Sequence, residues 1–190
     1  MMSTTHAAMG LAAASLLVPV SPELASVAAV GAIAGGVFPD LDIVFAHRKT
    51  LHHPEGYPPI AVLAMAIALF SPGPLSVAVA AFLGSAALHC LTDVLGGGLG
   101  LRPWNGDDER GIYLHRSGRW LPPRRWVRYD GAPEDFLVAL SFSIPPYLLF
   151  DGAFTEVILV GLGISAAYVL LRKRLVDVYE AVTEDHHGTS

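Results

Sequence analysis

Seven side chains able to ligate a metal lie at or near the ends of apolar segments: His6, Asp40, Asp42, His47, His52, His89 and Asp93. An ionisable group at the centre of a membrane helix costs about 2.5–3.5 kcal/mol on insertion scales, so its retention points to a function. His89 and Asp93 stand four apart, which on a helix puts both on one face a turn apart, the spacing of two-ligand helical metal motifs. Asp40 and Asp42 stand two apart just past Pro39, and in an extended conformation both point the same way. Capping explains this pair poorly, because an aspartate at a helix C-terminus opposes the macrodipole. Imidazoles and carboxylates without a thiolate suit Zn²⁺, Mn²⁺ or Fe²⁺ in a hydrolytic site, with Zn²⁺ and Mn²⁺ the first choices. Seven candidates exceed the roughly three or four that one catalytic ion takes, which leaves room for a second.

A divalent ion held this way acidifies water and polarises a scissile group. Asp42 or Asp93, if free of the ion, serves as general base, and Arg48 with arginines further along pairs with a phosphate. Blander readings exist for each: His6 as a helix cap, Asp40 and Asp42 as a helix end, His89 and Asp93 as a buried hydrogen-bonded couple. Adjacent His52 and His53 cannot both face one point, so His53 is assigned outside the ligand set. Cys90 reads as a small packed hydrophobe, and Gly96-Gly97-Gly98 as a flexible exit rather than a phosphate cradle.

The elements that must position these groups are apolar runs at Ala7–Val20, Leu24–Phe38, Ile60–Phe70, Leu75–Leu95, Phe136–Phe150 and Phe154–Leu171, punctuated by Pro22, Pro39, Pro58, Pro59 and Ser71-Pro72-Gly73-Pro74. Hydrophobic residues make up 53% of the chain and charged residues 15%, which excludes an ordinary soluble domain. One cysteine excludes a disulfide scaffold. The fold expected is a single all-α domain, a polytopic membrane bundle of about six helices with a long loop at 96–133 between the fourth and fifth and a polar, fraying tail at 177–190 in which His186 and His187 are solvated.

With six crossings, all 12 basic residues fall on one side: Arg48 and Lys49, seven arginines from Arg102 to Arg128, and Arg172, Lys173 and Arg174. Such loops stay in the cytoplasm, so both termini and the long loop are expected on the cytoplasmic face of a cell (inner) membrane. No basic residue precedes Arg48, so the first run lacks the n-region of a cleaved signal peptide. The long loop carries Trp104, Trp120 and Trp126 among its arginines, a composition for lying on anionic headgroups; nucleic-acid binding is the lesser reading and no nucleic acid is expected.

Thr5-His6, Pro39-Asp40-Leu41-Asp42, His47-Arg48 followed by His52, and His89-x-x-x-Asp93 before a glycine-rich exit and Pro103 together resemble the YdjM-like family of membrane-bound, metal-dependent hydrolases, some members of which are named LexA-binding inner-membrane proteins. The resemblance spans residues 4–104 and continues beyond by topology. Where that family reads His-Arg-Gly-x-Thr-His-Ser, this chain has His47-Arg48-Lys49-Thr50-Leu51-His52-His53, so that His47, Arg48 and His52 match. The resemblance implies a metal-dependent hydrolase. Location and charge point to a lipid or other phosphoester substrate. The alternative is a non-enzymatic membrane scaffold that binds a cytoplasmic protein partner or anionic lipid. A transporter would need mid-membrane ionisable groups and internal repeats, and the sequence offers neither.

Overall fold

The structure, a computed structural model, describes residues 1–187. Among these it has six α-helices: α1 (Ser3–Ser15), α2 (Pro22–Val37), α3 (Tyr57–Phe70), α4 (Pro74–Thr92), α5 (Pro133–Leu149) and α6 (Ala153–His187). Prolines occupy the first turn of α2, α3, α4 and α5, where a missing N–H breaks no helical bond.

Three helical stretches, Pro22–Val44, Pro74–Leu95 and Ala153–Thr183, are long and apolar enough to cross a membrane. The helices α1, α3 and α5 are shorter, at 13, 14 and 17 residues. Apolar side chains stand outward along the bundle, Phe70 at 92% exposed and Leu69 at 81% among them, an apolar surface beyond what soluble monomers carry.

Most helix ends differ from the sequence reading by a few residues, and those of α1 and α6 differ most. The first helix begins at Ser3 rather than Ala7, because Asp135 of α5 accepts hydrogen bonds from the Met2 backbone N–H (2.9 Å) and Thr5 Oγ1 (2.7 Å) and so anchors its start. The chain then leaves the helix in short turns before Pro19 and Pro22. At the other end α6 does not fray at Asp177 but continues to His187; Arg102 bonds both Asp177 and Glu180 and ties that last stretch to the long loop. Residues 188–190 of the expected tail, and the side chains of His186 and His187, lie outside what is described.

Within the bundle α2 packs tightly on α4. A Cβ placed on Gly31 would strike the Ala78 carbonyl oxygen, and one on Gly35 the Phe82 carbonyl oxygen. Small residues four apart let the two backbones meet, as in membrane helix pairs generally. Gly36, next in line, lies against the Ala7 backbone of α1. These three helices converge at the end of the bundle where the ionisable groups sit.

The long loop is more structured than the all-α expectation allowed. It contains an antiparallel hairpin, β1 (Ile112–Leu114) with β2 (Arg119–Leu121), in which Tyr113 faces Trp120. Gly97 and Gly98 are packed under the Arg128 and Asp108 carbonyls rather than forming a flexible exit. Only Trp126, at 76% exposed, stands free of the three tryptophans; Trp104 stacks edge-on with Tyr129 and Trp120 with Tyr113.

Candidate metal centre

Pro39 ends α2 and the chain tightens into a 3-10 helix, Phe38–Val44. With about three residues per turn, side chains two apart cannot share a direction, so the extended pairing expected for Asp40 and Asp42 does not occur. The two carboxylates instead meet the His52 ring from opposite edges. Asp42 Oδ2 accepts from His52 Nδ1 at 2.9 Å, while Asp40 Oδ1 lies 3.7 Å from His52 Nε2.

The inner edge of His52 faces a group of four. His52 Nε2 lies 3.2 Å from His89 Nε2 and 3.3 Å from Asp93 Oδ2. His89 Nε2 lies 3.3 Å from Asp40 Oδ1 and 3.6 Å from Asp93 Oδ2. Donors around a four-coordinate ion with ~2.1 Å bonds stand about 3.4 Å apart, so these separations fit the edges of such a tetrahedron. Asp40, His52, His89 and Asp93 are thus able to hold a metal ion, and three of them are buried.

The outer ring nitrogens fix the tautomers. An ionised carboxylate only accepts, so His52 Nδ1 must donate to Asp42. His89 Nδ1 donates to the Gly36 carbonyl at 2.6 Å, a bond that the glycine packing of α2 on α4 brings into reach. In the neutral rings both Nε2 atoms then present lone pairs to one another and to two carboxylates, an arrangement that calls for a cation between them. Carboxylate or carbonyl behind a ligating imidazole is the usual outer support of a metal site. With no ion between the two Nε2 atoms a proton takes that place on His52: burial disfavours the charged ring, but Asp42 and Asp93 outweigh that and hold its pKa above the ordinary histidine value, so a metal ion and a proton compete for Nε2.

A second group adjoins the first. Asp42 Oδ1 accepts from His47 Nδ1 at 2.8 Å, and Asp42, His47 and His52 form another set compact enough for an ion. Asp42 also takes the backbone N–H groups of Leu51 (3.1 Å) and Lys49 (3.3 Å), so four donors converge on this one buried carboxylate. His47 Nε2 has no hydrogen-bond partner among the described residues.

The remaining expected residues lie around this core. His6 stacks on His89 with ring centroids 3.7 Å apart and donates Nε2–H to Asp93 Oδ1 at 3.0 Å, which places it beside the four-donor set rather than in it. The Met1 amino group also reaches Asp93 Oδ1, at 2.8 Å. Arg48 is buried with its backbone in the left-handed region (φ 57°). Its guanidinium donates to the Gly97 carbonyl (2.6 Å) and the Gly111 carbonyl (3.3 Å), and its Nε stands 3.3 Å from Asp93 Oδ2. It therefore pins the long loop over the site and counters the charge of Asp93.

His53 turns away, stacking on His115 at 4.2 Å and bonding the Thr50 carbonyl. Partial burial and the neighbouring His115 lower its pKa.

Sequence reasoning missed two supports. Asp135 is fully buried and anchors α1, and its signal was an aspartate in the first turn of an otherwise apolar helix. His115 bonds the carbonyls of Lys49 and His52 at 2.9 and 3.0 Å, bracing the histidine loop from β1's end; a lone histidine in an arginine-rich loop gave no pattern to read.

Asp40 opens on a cavity of about 880 Å³ lined also by His47, Arg48, Arg110, Trp120 and Arg172. No protein-family model, curated protein or solved structure matches the chain, so the resemblance to the YdjM-like family rests on the spacing of its histidines and aspartates.

Proposed function

We propose that the protein is a membrane-bound, divalent-metal-dependent phosphoester hydrolase, with Asp40, His52, His89 and Asp93 holding Zn²⁺ or Mn²⁺ at the cytoplasmic face. The observation that carries this reading is the four-donor set, spaced for one ion and locked in tautomer by Asp42 and the Gly36 carbonyl. A divalent ion held by these four residues would supply Lewis acidity toward a phosphoryl oxygen and would lower the pKa of water toward ~7.

The chain's own residues supply the rest. His47 lines the cavity and is backed by Asp42 through Nδ1, an Asp–His arrangement suited to proton transfer at Nε2. Because Asp42 is saturated by N–H donors and Asp93 belongs to the four-donor set, the general base is His47 rather than either aspartate. Water's oxygen bonds to phosphorus and one P–O ester bond breaks. His47 takes the proton that water loses and returns it to the leaving oxygen. Arg48 is bound to loop carbonyls, so phosphate pairing passes to Arg110 and Arg172 on the cavity wall.

A second reading, a structural ion in a scaffold that binds a cytoplasmic partner or anionic lipid, draws on the count of four protein donors, since catalytic ions usually keep a position open. The cavity in front of Asp40 favours the enzyme. The test is metal analysis of detergent-purified protein prepared without chelator, with hydrolysis of p-nitrophenyl phosphate measured before and after chelation and on return of Zn²⁺ or Mn²⁺. One ion per chain and reversible loss of turnover are expected. A metal-free wild type overturns the reading; bound metal without turnover leaves the scaffold.

A further inference from the structure

The cavity in front of Asp40 has an apolar neighbour. A second chamber of about 610 Å³ lies between α1, α2, α5 and α6, a size within the ~300–1,000 Å³ of small-ligand pockets. Its walls include Ala8, Leu11, Ile33 and Val157, and Glu156 is its only charged lining residue among those described. Ser3, Thr4, Val37, Ile164 and Ser165 line both chambers, so at most one layer of side chains separates them. That layer carries small hydroxyls: Ser165 Oγ donates to Thr4 Oγ1 at 2.7 Å, and Ser3 Oγ donates to Asp40 Oδ2 at 2.5 Å.

The two chambers differ in charge as the two ends of an amphiphile do. The one at Asp40 is lined by Arg48, Arg110, Arg172, Asp40 and Asp130; with Arg48 committed to Asp93 and the loop carbonyls, Arg110 and Arg172 are the cations left to meet a phosphate. Arg110 is paired with Asp108, and a pair with so exposed an arginine is worth little and exchanges readily for an incoming anion; Arg172, more buried, stays on Asp130 at the same wall and can add a contact. The apolar chamber runs along the part of α6 that is long and apolar enough to cross a membrane. A water-soluble phosphoester has no use for that second space. A lipid fills both.

We propose that the two chambers form one binding site for a membrane lipid whose headgroup is an uncapped phosphate monoester, its phosphate in the arginine-lined chamber beside Asp40 and an acyl chain in the apolar chamber between α1, α2, α5 and α6. This names the substrate class for the hydrolase reading and rests on that reading for the reaction, while the binding itself can be tested apart from turnover.

The test uses the full-length protein in phosphatidylcholine vesicles and two photoreactive lipids with the same diazirine-bearing acyl chain, one a phosphatidate and one a phosphatidylcholine. Adducts are mapped by mass spectrometry. One more charge-assisted contact to the uncapped monoester than to a choline-capped diester predicts about tenfold more labelling of the α1 and α6 chamber walls by the phosphatidate. Excess unlabelled phosphatidate should remove that signal and excess phosphatidylcholine should not. Gly161→Leu, which puts a side chain where an added Cβ has nothing within 4 Å, fills the chamber and should lower the labelling to a similar degree, with metal content and melting temperature as controls for fold. Equal labelling by both lipids, or adducts confined to the outward faces of α3 and α5, overturns the proposal. Phosphatidate-selective labelling in a protein that hydrolyses neither p-nitrophenyl phosphate nor phosphatidate upholds the lipid site and removes the hydrolase reading alone.

Discussion

Where α2 meets α4, glycines stand under carbonyl oxygens with no space for a methyl group, and the Gly36 carbonyl is delivered to His89. Where α5 and α6 meet α1, the helices leave a chamber of about 610 Å³, and Gly161 of α6, on its wall, has nothing within reach of an added Cβ. The first region leaves the Gly36 carbonyl and His89 no room to part, and the second leaves space unfilled. A metal site needs the former, since ligand positions must be fixed before the ion arrives. A binding site for a flexible chain needs the latter.

The largest effect should come from the centre of the tight region. Asp93 touches His6, His52, His89, Arg48 and the Met1 amine, so Asp93→Asn removes the charge on which all of them converge. Metal content should fall by more than about 100-fold in affinity, since even outer-shell changes cost about 10–100-fold. Retention of stoichiometric metal by this variant would falsify the four-donor assignment. His47→Gln should be nearly as costly to turnover but silent in metal content, because His47 is outside the four-donor set: kcat is expected to drop about 10²–10⁴-fold, the usual worth of positioned acid–base catalysis. Equal losses of metal and kcat would instead make His47 a ligand of the neighbouring Asp42–His47–His52 group.

Asp42→Asn separates support from ligation. The amide keeps the shape but no longer draws the His52 proton to Nδ1, so the ring loses its fixed tautomer and metal affinity should fall about 10–100-fold while the fold is retained. Competition with a metal-binding dye reads this directly. An unchanged affinity would show that the Asp42 side of His52 contributes nothing to the centre.

The sequence made the ligand types and their helix-end placement legible because the spacing of His89 and Asp93 survives any rigid helix, and because charged groups beside apolar runs stand out. It did not disclose how Asp40 and Asp42 divide, since that depends on the chain tightening after Pro39 instead of extending. The six helices followed from apolar runs and prolines, yet their ends depended on distant partners: Asp135 set the start of α1, and Arg102 joined the last turns of α6 to the loop. The hairpin escaped notice because its strands are 3 residues each, too short for an alternating pattern, and are held by long-range bonds such as Tyr113 N–H to the Arg48 carbonyl (3.1 Å). The apolar chamber could not be foreseen at all, because a run of Ala, Val and Gly looks alike whether it faces a neighbour, a lipid or a void.

The smallest effect gives the sharpest contrast, because one chemical change is made in both regions. Gly35→Ala forces a methyl against the Phe82 backbone, which cannot move without shifting α4, and overpacking of this kind costs about 1–3 kcal/mol. Gly161→Ala meets open space on the chamber wall and should gain about 0.5–1 kcal/mol from reduced backbone freedom in the unfolded chain. At about 2–4 °C per kcal/mol for a chain of this size, the two melting temperatures in detergent should move in opposite directions, down by several degrees for Gly35→Ala and up by a few for Gly161→Ala. The site should follow only the first, because a displaced α4 carries His89 and Asp93 with it while nothing on α6 supplies a donor to the four-donor set. Shifts of the same sign and size in both variants would mean that the two regions are packed alike, and the division between a fixed metal centre and a roomy chain site would lose its footing.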